Sequence, residues 1–438
     1  MTKTITAMMW TKRFNLLAIA AITSIALHAQ PAPPQKGSVL ILGAHAHLGN
    51  GTAIEQSAVG FKDGVIDFVG TANRAPRDKY DEVIEASGKH LYPGFIAANT
   101  TLGVSEIDAV RATRDYNETG EYNPNVRTLI AYNPESVVIP TTVRNGVLLA
   151  QITPRGGRIM GTSSVVQLDA WNWEDAVVRA DDGVHINWPS MVSKTGWYGD
   201  FGKLEANKES EKELEKLNRF FADAKAYCEA PGDKVNLRLQ AMCGVLKGSQ
   251  NLYIHADRVK DIAAAIHFSR KHNITKMVIV GGYDAHLIPE MFREHKCGLM
   301  LGRVHALPQL PGDPIELPYR LPALLRDNGV SFGLSNHGPH ERMLLRNTPF
   351  NGGTAVAHGL LYEQAVQAMS LDLAEILGIA DRYGSLEVGK SATLFLSDGD
   401  ALDVRGNQLT HAFIDGRFIV LNNRQEELFE RFKRKYSK

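Results

Sequence analysis

The pattern that most limits the fold is an alternation, through the middle of the chain, of short apolar runs with helically spaced apolar residues. Residues 146–152 (GVLLAQI), 251–255 (NLYIH) and 276–280 (KMVIV) are runs of strand length. Between the last two, Val259, Ile262, Ala263 and Ile266 recur at three- and four-residue steps, which puts them on one face of a helix. A strand covered on both faces reads as a continuous apolar run, and the route to a parallel neighbour is a helix. Repetition of this unit is what a parallel α/β barrel requires.

The two ends read differently. Residues 39–42 (VLIL) are apolar, and residues 58–70 form two strand patterns around Asp63-Gly64. An Asp-Gly pair accepts the positive φ angles of a tight hairpin. Residues 384–396 lead into another strand, and residues 412–420 repeat the hairpin pattern around Asp415-Gly416. Strands at both ends predict one small β domain made of residues 30–92 and 384–422, with the barrel over 93–383 and a charged helix over 423–438. Residues 205–228 carry Leu214, Leu217, Phe221 and Ala224 at helical spacing, as expected of an amphipathic insertion packed outside the barrel.

Lys plus Arg and Asp plus Glu both number 48, so the formal net charge is zero. That excludes a protein that grips nucleic acid or anionic lipid by bulk charge. At the start, Lys12 and Arg13 precede an apolar stretch over 16–27, too short for a comfortable membrane span, with Ala29 before a cut. Residues 1–29 therefore read as a signal peptide. It sends the chain across an inner membrane to the periplasm, with no membrane attachment after cleavage. Of three cysteines, Cys228 and Cys243 either pair in an oxidising compartment or stay as buried thiols beside Cys297.

Residues 91–103 (LYPGFIAANTTLG) resemble the first barrel strand of the amidohydrolase superfamily, where Pro-Gly and hydrophobic residues lead into His-x-His. Residues 374–392 resemble that superfamily's closing segment, with Thr393 where Asp is usual. Residues 43–51, followed by Lys62-Asp63-Gly64, resemble the opening of its imidazolonepropionase-like members. The chain is similar to a periplasmic subgroup of that kind with a degenerate metal site. The resemblance implies an α/β fold, a (β/α)8 TIM-like barrel plus a small β-sandwich built from both chain ends. It also implies C–N bond hydrolysis, in which a divalent metal such as zinc acidifies bound water and an Asp takes the proton. Carried over residue by residue, Asn99 and Thr101 stand at the first two ligand positions. His255 matches the fifth-strand ligand, Gly281 or Gly282 falls at the sixth-strand position, and Ser335 stands where the Asp belongs. Catalytic zinc uses three protein ligands, so the resemblance implies a rebuilt or lost site that retains His255. His45-Ala46-His47 also has ligand spacing, but it precedes the first hairpin and reads as a surface or edge-strand pair.

Barrel active sites lie at the C-terminal ends of the strands. The catalytic candidates there are His255, His337, Glu106 and Asp115. The substrate-binding candidates are Asn99, Thr101, Arg111, Arg258, Ser335 and Asn336. A rebuilt metal site would use His255 with His337 or His340 and Glu106 or Asp115. A metal-free site would pair His with a carboxylate for acid–base work. Residues 156–164 are Gly/Ser/Thr-rich and read as a turn sooner than an anion cradle. Trp171, Trp173 and Trp188 read equally as a stacking surface or as core. The expected activity is hydrolysis of a C–N bond in a small molecule or short peptide. The alternative is an inactive relative that binds a ligand or supports an active homologous subunit. Homo-oligomerisation is also open.

Overall fold

The computed structural model describes residues 31–195, 203–338 and 340–437. Residues 1–29, read above as a signal peptide, lie outside them. The chain enters through β1 (Val39–Leu42), β2 (His45–His47), β3 (Ala53–Ile54), β4 (Ser57–Lys62), β5 (Val65–Thr71), β6 (Glu82–Glu85) and β7 (His90–Pro93). The β4–β5 hairpin turns on Asp63 and Gly64, at φ 50° and 81°, the left-handed pair that suits the twist of two hairpin strands. The barrel strands are β8 (Phe95–Thr100), β9 (Val147–Ile152), β10 (Ile159–Gln167) and β11 (Val177–Asn187). After a small β12 (Val192–Thr195) and β13 (Lys203–Ala206) pair come β14 (Asn251–Ala256), β15 (Met277–Gly281), β16 (Gly298–Leu301) and β17 (Gly333–Leu334). The chain closes through β18 (Leu394–Ser397), β19 (Leu409–Ile414) and β20 (Arg417–Phe418).

Sheet order is β5-β4-β1-β6 for one end layer and β20-β19-β18-β7-β2-β3 for the other, so strands of both chain ends share a sheet. Leu394 lies opposite Pro93 and Ser397 opposite His90 in the antiparallel β18–β7 ladder. Val39, Ile41, Phe61 and Leu91 from the front meet Leu386, Leu394, Leu396 and Phe413 from the back in one buried cluster.

The central sheet runs β8-β9-β10-β11-β14-β15-β16-β17. It departs from strict strand–helix alternation: β10 is antiparallel to both β9 and β11, and the remaining neighbours pair in parallel. Antiparallel neighbours need only short connections, which is why no crossover helix separates these strands. Among the helices are α1 (Ser210–Glu229), α2 (Val259–Lys271), α3 (Leu317–Asp327), α4 (Thr348–Ala357), α5 (Tyr362–Met369), α6 (Leu371–Leu377) and α7 (Arg424–Tyr436). Both α5 and α6 pack against β8 and β17, the two end strands, so helices cover the seam of the nearly closed sheet. Leu373, Ala374 and Leu377 of α6 reach a cluster with Ile96, Ala98, Leu149, Tyr253, Val280 and Met300. Alternate residues, such as Phe95, Ala97, Leu148, Ile254 and Leu299, belong to the larger outer core. Period-two alternation thus separates barrel interior from helix-facing shell.

Helix α1 begins later than its charge pattern suggests, because residues 203–206 pair as a strand. Its stripe Leu217, Phe221 and Ala224 is buried, and Phe221 meets Phe268 of α2 edge-on at 4.9 Å. The tryptophans do not form one surface: Trp171 is 60% exposed, whereas Trp188 is 6% exposed and packs edge-on against Phe268. Among the described residues no helix is long and apolar enough to cross a membrane. Cys228 and Cys243 form a disulfide with Cα atoms 5.5 Å apart, and Cys297 is a buried thiol. The bridge ties the end of α1 to a short helix, Cys243–Leu246. A loop of that length stabilises by about 3 kcal/mol through restriction of the unfolded chain. Cys228→Ser should therefore lower the unfolding free energy from urea titration by roughly that amount, and with it the midpoint, under non-reducing conditions. A reducing agent should bring the parent protein to the same midpoint.

Candidate functional site

At the end of β8 the register slips between Ala97 and Thr100, and Asn99 takes φ 54°. This left-handed conformation is uncommon for a residue with a side chain, although Asn adopts it more readily than most. Simple alternation, which would aim residues 99 and 101 the same way, does not hold here. Asn99 Oδ1 accepts from Arg155 Nη1 at 3.0 Å, and its carbonyl accepts from Arg155 Nη2 at 2.8 Å. With Oδ1 so engaged, the Nδ2 amide faces His337 Nδ1 at 3.1 Å. Thr101 turns to another partner: its N–H and hydroxyl both donate to Glu341 Oε1 at 2.7 Å, and Thr100 donates to Oε2 at 2.7 Å. Arg155 stands 3.6 Å from that carboxylate.

A string of buried polar groups crosses the barrel interior. Asp182 accepts from Ser163 Oγ at 2.7 Å, Tyr253 Oη at 2.6 Å and Gln151 Nε2 at 2.9 Å. Three donors offset the cost of burying this carboxylate, although burial still pushes its pKa up. Ser163 Oγ, its proton given to Asp182, accepts from His185 Nε2 at 2.9 Å. His185 Nδ1 is then bare and accepts from His255 Nε2 at 3.0 Å. Read in this direction, the string assigns the His255 proton to Nε2 and leaves Nδ1 bare. Asn99 Nδ2 donates to His337 Nδ1, which leaves the His337 proton on Nε2. The rings of His255 and His337 lie 5.7 Å apart, edge to face. Burial holds His185 well below the usual imidazole range. Burial also lowers His255, and the neighbouring His185, His337 and Arg155 add to the effect. His337 is lowered by burial as well. All three rings are neutral near pH 7.

A cavity of about 340 Å³ opens at the C-terminal ends of β11, β14 and β15, lined by Asn187, Trp188, His255, Asp257, Arg258 and His337 among others. Arg258 pairs with Asp284 at 3.7 Å and lies over the Tyr283 ring. The structure therefore gathers His255, His337, Asn99 and Arg258. Thr101 joins through Glu341. Ser335 is buried and donates to the Leu301 carbonyl at 2.9 Å, and Asn336 donates to the Glu341 carbonyl at 3.1 Å. Glu106 lies in the loop after β8, its carbonyl accepting from Arg342. Asp115 and Arg111 are exposed on that loop. Sequence reading missed Arg155, His185, Ser163, Asp182 and Gln151. His47 corrects the surface or edge-strand reading: β2 lies between β7 and β3, and His47 is 3% exposed.

The amidohydrolase family profile matches residues 327–423. Amidohydrolase tasK of Hapsidospora irregularis is 21% identical over 384 residues, which is 79% of this chain and only 38% of that protein's length. The imidazolonepropionase of Mesorhizobium japonicum is 23% identical over 379 residues, 79% of this chain and 87% of that one. Among solved structures, an amidohydrolase from Thermotoga maritima superposes with a TM-score of 0.73 at 23% identity, covering 87% of this chain and 99% of that chain. The chain is thus similar, at low identity, to amidohydrolase and imidazolonepropionase proteins, and it shares the fold of the solved amidohydrolase.

The histidine string has a consequence for stability. Each ring stays neutral in the folded protein, whereas in the unfolded chain it titrates at the ordinary 6.5. Below that pH the unfolded state takes up protons that the folded state refuses, so stability is full above it and falls as pH drops towards the depressed folded values. Tm should fall as pH is lowered from about 7.5 to about 5, and His255→Asn should flatten that slope.

Proposed function

We propose that the protein is a hydrolase of C–N bonds acting on a small molecule or short peptide at the His255–His337 cavity. The observation that carries this reading is a pair of imidazoles, His255 and His337, both held neutral by burial and lining one cavity at the strand ends. His255 Nδ1 accepts the proton of an attacking water as its oxygen bonds to the scissile carbon. His337 Nε2–H donates a hydrogen bond to the carbonyl oxygen as negative charge develops there. The C–N bond then breaks, and His255 returns its proton to the leaving nitrogen. Arg258 suits a substrate carboxylate. The imidazolonepropionase and amidohydrolase names of the relatives support the C–N bond class.

The superfamily's divalent metal fits poorly at these residues. Asn99 and Thr101 are committed to Arg155, His337 and Glu341, while Gly281 and Gly282 bring no side-chain donor. His255 Nε2 is taken by His185, and the Arg155 guanidinium already supplies positive charge at Asn99. We read this as a degenerate metal site. We also read the two end sheets as one small β-sandwich. The protein acts in the periplasm after signal cleavage, and the Cys228–Cys243 disulfide supports an oxidising compartment.

A panel of N-acyl amino acids, dipeptides, lactams and cyclic imides, given to protein dialysed against a chelator, tests the reading. Turnover is expected without added metal. His255→Asn should lower kcat about 100-fold or more, and Arg258→Gln should chiefly raise KM for anionic substrates. Activity that vanishes with the chelator and returns with zinc would overturn the metal-free route. A second reading is favoured by the mutual satisfaction of Asn99, Thr101, Ser335 and His185: an inactive barrel that binds a ligand or supports an active homologous subunit. Tight binding of a panel member with no turnover would select it.

A further inference from the structure

A second cluster of imidazoles lies away from the barrel mouth, on the sheet shared by the two chain ends. His45 and His47 occupy one face of β2, two residues apart, and His90 stands beside His45 in the parallel β7. The three rings stack with centroids 4.6 to 5.5 Å apart, and His47 also stacks on Tyr92 at 4.4 Å. Glu363, on the first turn of α5, faces them. Its Oε1 lies 2.7 Å from His47 Nδ1, and its Oε2 is buried with no hydrogen-bond partner. Ligand atoms of His45, His47 and Glu363 lie within 4.8 Å of one another, and theirs is the one such group of potential metal ligands found among the described residues. His47 Nε2 also faces His90 Nδ1 at 3.1 Å.

The geometry points to a divalent transition-metal site formed by His45, His47 and Glu363, with His90 as an outer partner that sets the His47 tautomer. Two imidazoles and one carboxylate are a donor set that zinc takes readily, and the orphaned carboxylate oxygen is a group a cation satisfies. The nearly parallel rings must tilt for both nitrogens to aim at one ion. As the ion takes His47 Nδ1, the ring's proton moves to Nε2, where His90 Nδ1 accepts it. His45 is only half-buried, so the cluster has a solvent-facing side. An ion here would clamp α5, which covers the barrel seam, to the sheet built from both chain ends.

The test is titration of Zn2+, and of Co2+ as a spectroscopic substitute, into the chelator-stripped full chain. Expected are one equivalent bound, cobalt absorption of a four- or five-coordinate nitrogen–oxygen site, and a metal-dependent rise in Tm. His45→Ala and Glu363→Gln should each weaken binding about 100-fold, whereas His255→Ala should leave it unchanged. Tm of each variant without metal checks that it folds. Should Glu363→Gln fail to fold, His45→Ala and His45→Gln decide the matter. Absence of binding at micromolar zinc, binding undiminished in the folded variants, or binding lost in His255→Ala would each overturn the assignment. The last of these would also contradict the metal-free barrel, whereas failure of the His45 site alone leaves that reading standing.

Discussion

A guanidinium at the mouth of a barrel must be surrounded by acceptors, and Arg155 dictates how the neighbouring polar groups are arranged. It takes both the carbonyl and the side-chain oxygen of Asn99, which helps hold that residue in a left-handed conformation and turns its amide towards His337. The nearby Glu341 carboxylate balances the charge and at the same time collects Thr100 and Thr101. One cation thereby joins the end of β8, the loop after β9 and the segment after β17. A second cation placed among these groups would meet like charge at short range, where the surroundings screen it weakly.

How far the fold was legible depends on how strand residues are covered. β9, β14 and β15 read directly because both of their faces meet apolar partners. β10 and β11 do not, because Ser163, Asp182 and His185 interrupt their runs while sitting fully buried in the interior string. The polarity that hides these strands in the sequence is the same polarity that organises the site. Asn99 was recognisable as a replaced ligand, but its backbone conformation, and hence its partners, follow from tertiary contacts to Arg155 and Gln151. His47 looked like an exposed pair member because its partner Glu363 is 316 positions away.

The comparisons and the site speak at different levels. The solved amidohydrolase shows a shared fold, and a shared fold hosts many chemistries. What distinguishes this chain is local: a string of neutral imidazoles tied to a buried carboxylate, where small changes in hydrogen-bond direction reassign which ring nitrogen is bare. Such a string is sensitive to any substitution along it, including Tyr253 and Gln151, whose hydrogen bonds to Asp182 counter the upward push of burial on its pKa.

The ladder between β7 and β18 has a temporal meaning as well as a spatial one. During synthesis β2 and β7 emerge early, yet the partner that covers β7 is encoded after the entire barrel. Until the last strands leave the ribosome, β7 presents an open edge carrying Leu91 and Tyr92, side chains that end fully buried. An open apolar edge is a template for wrong pairing. The nascent chain therefore spends most of its translation with this sheet unfinished, and any factor that shields unfinished sheets would find its longest-lived target there.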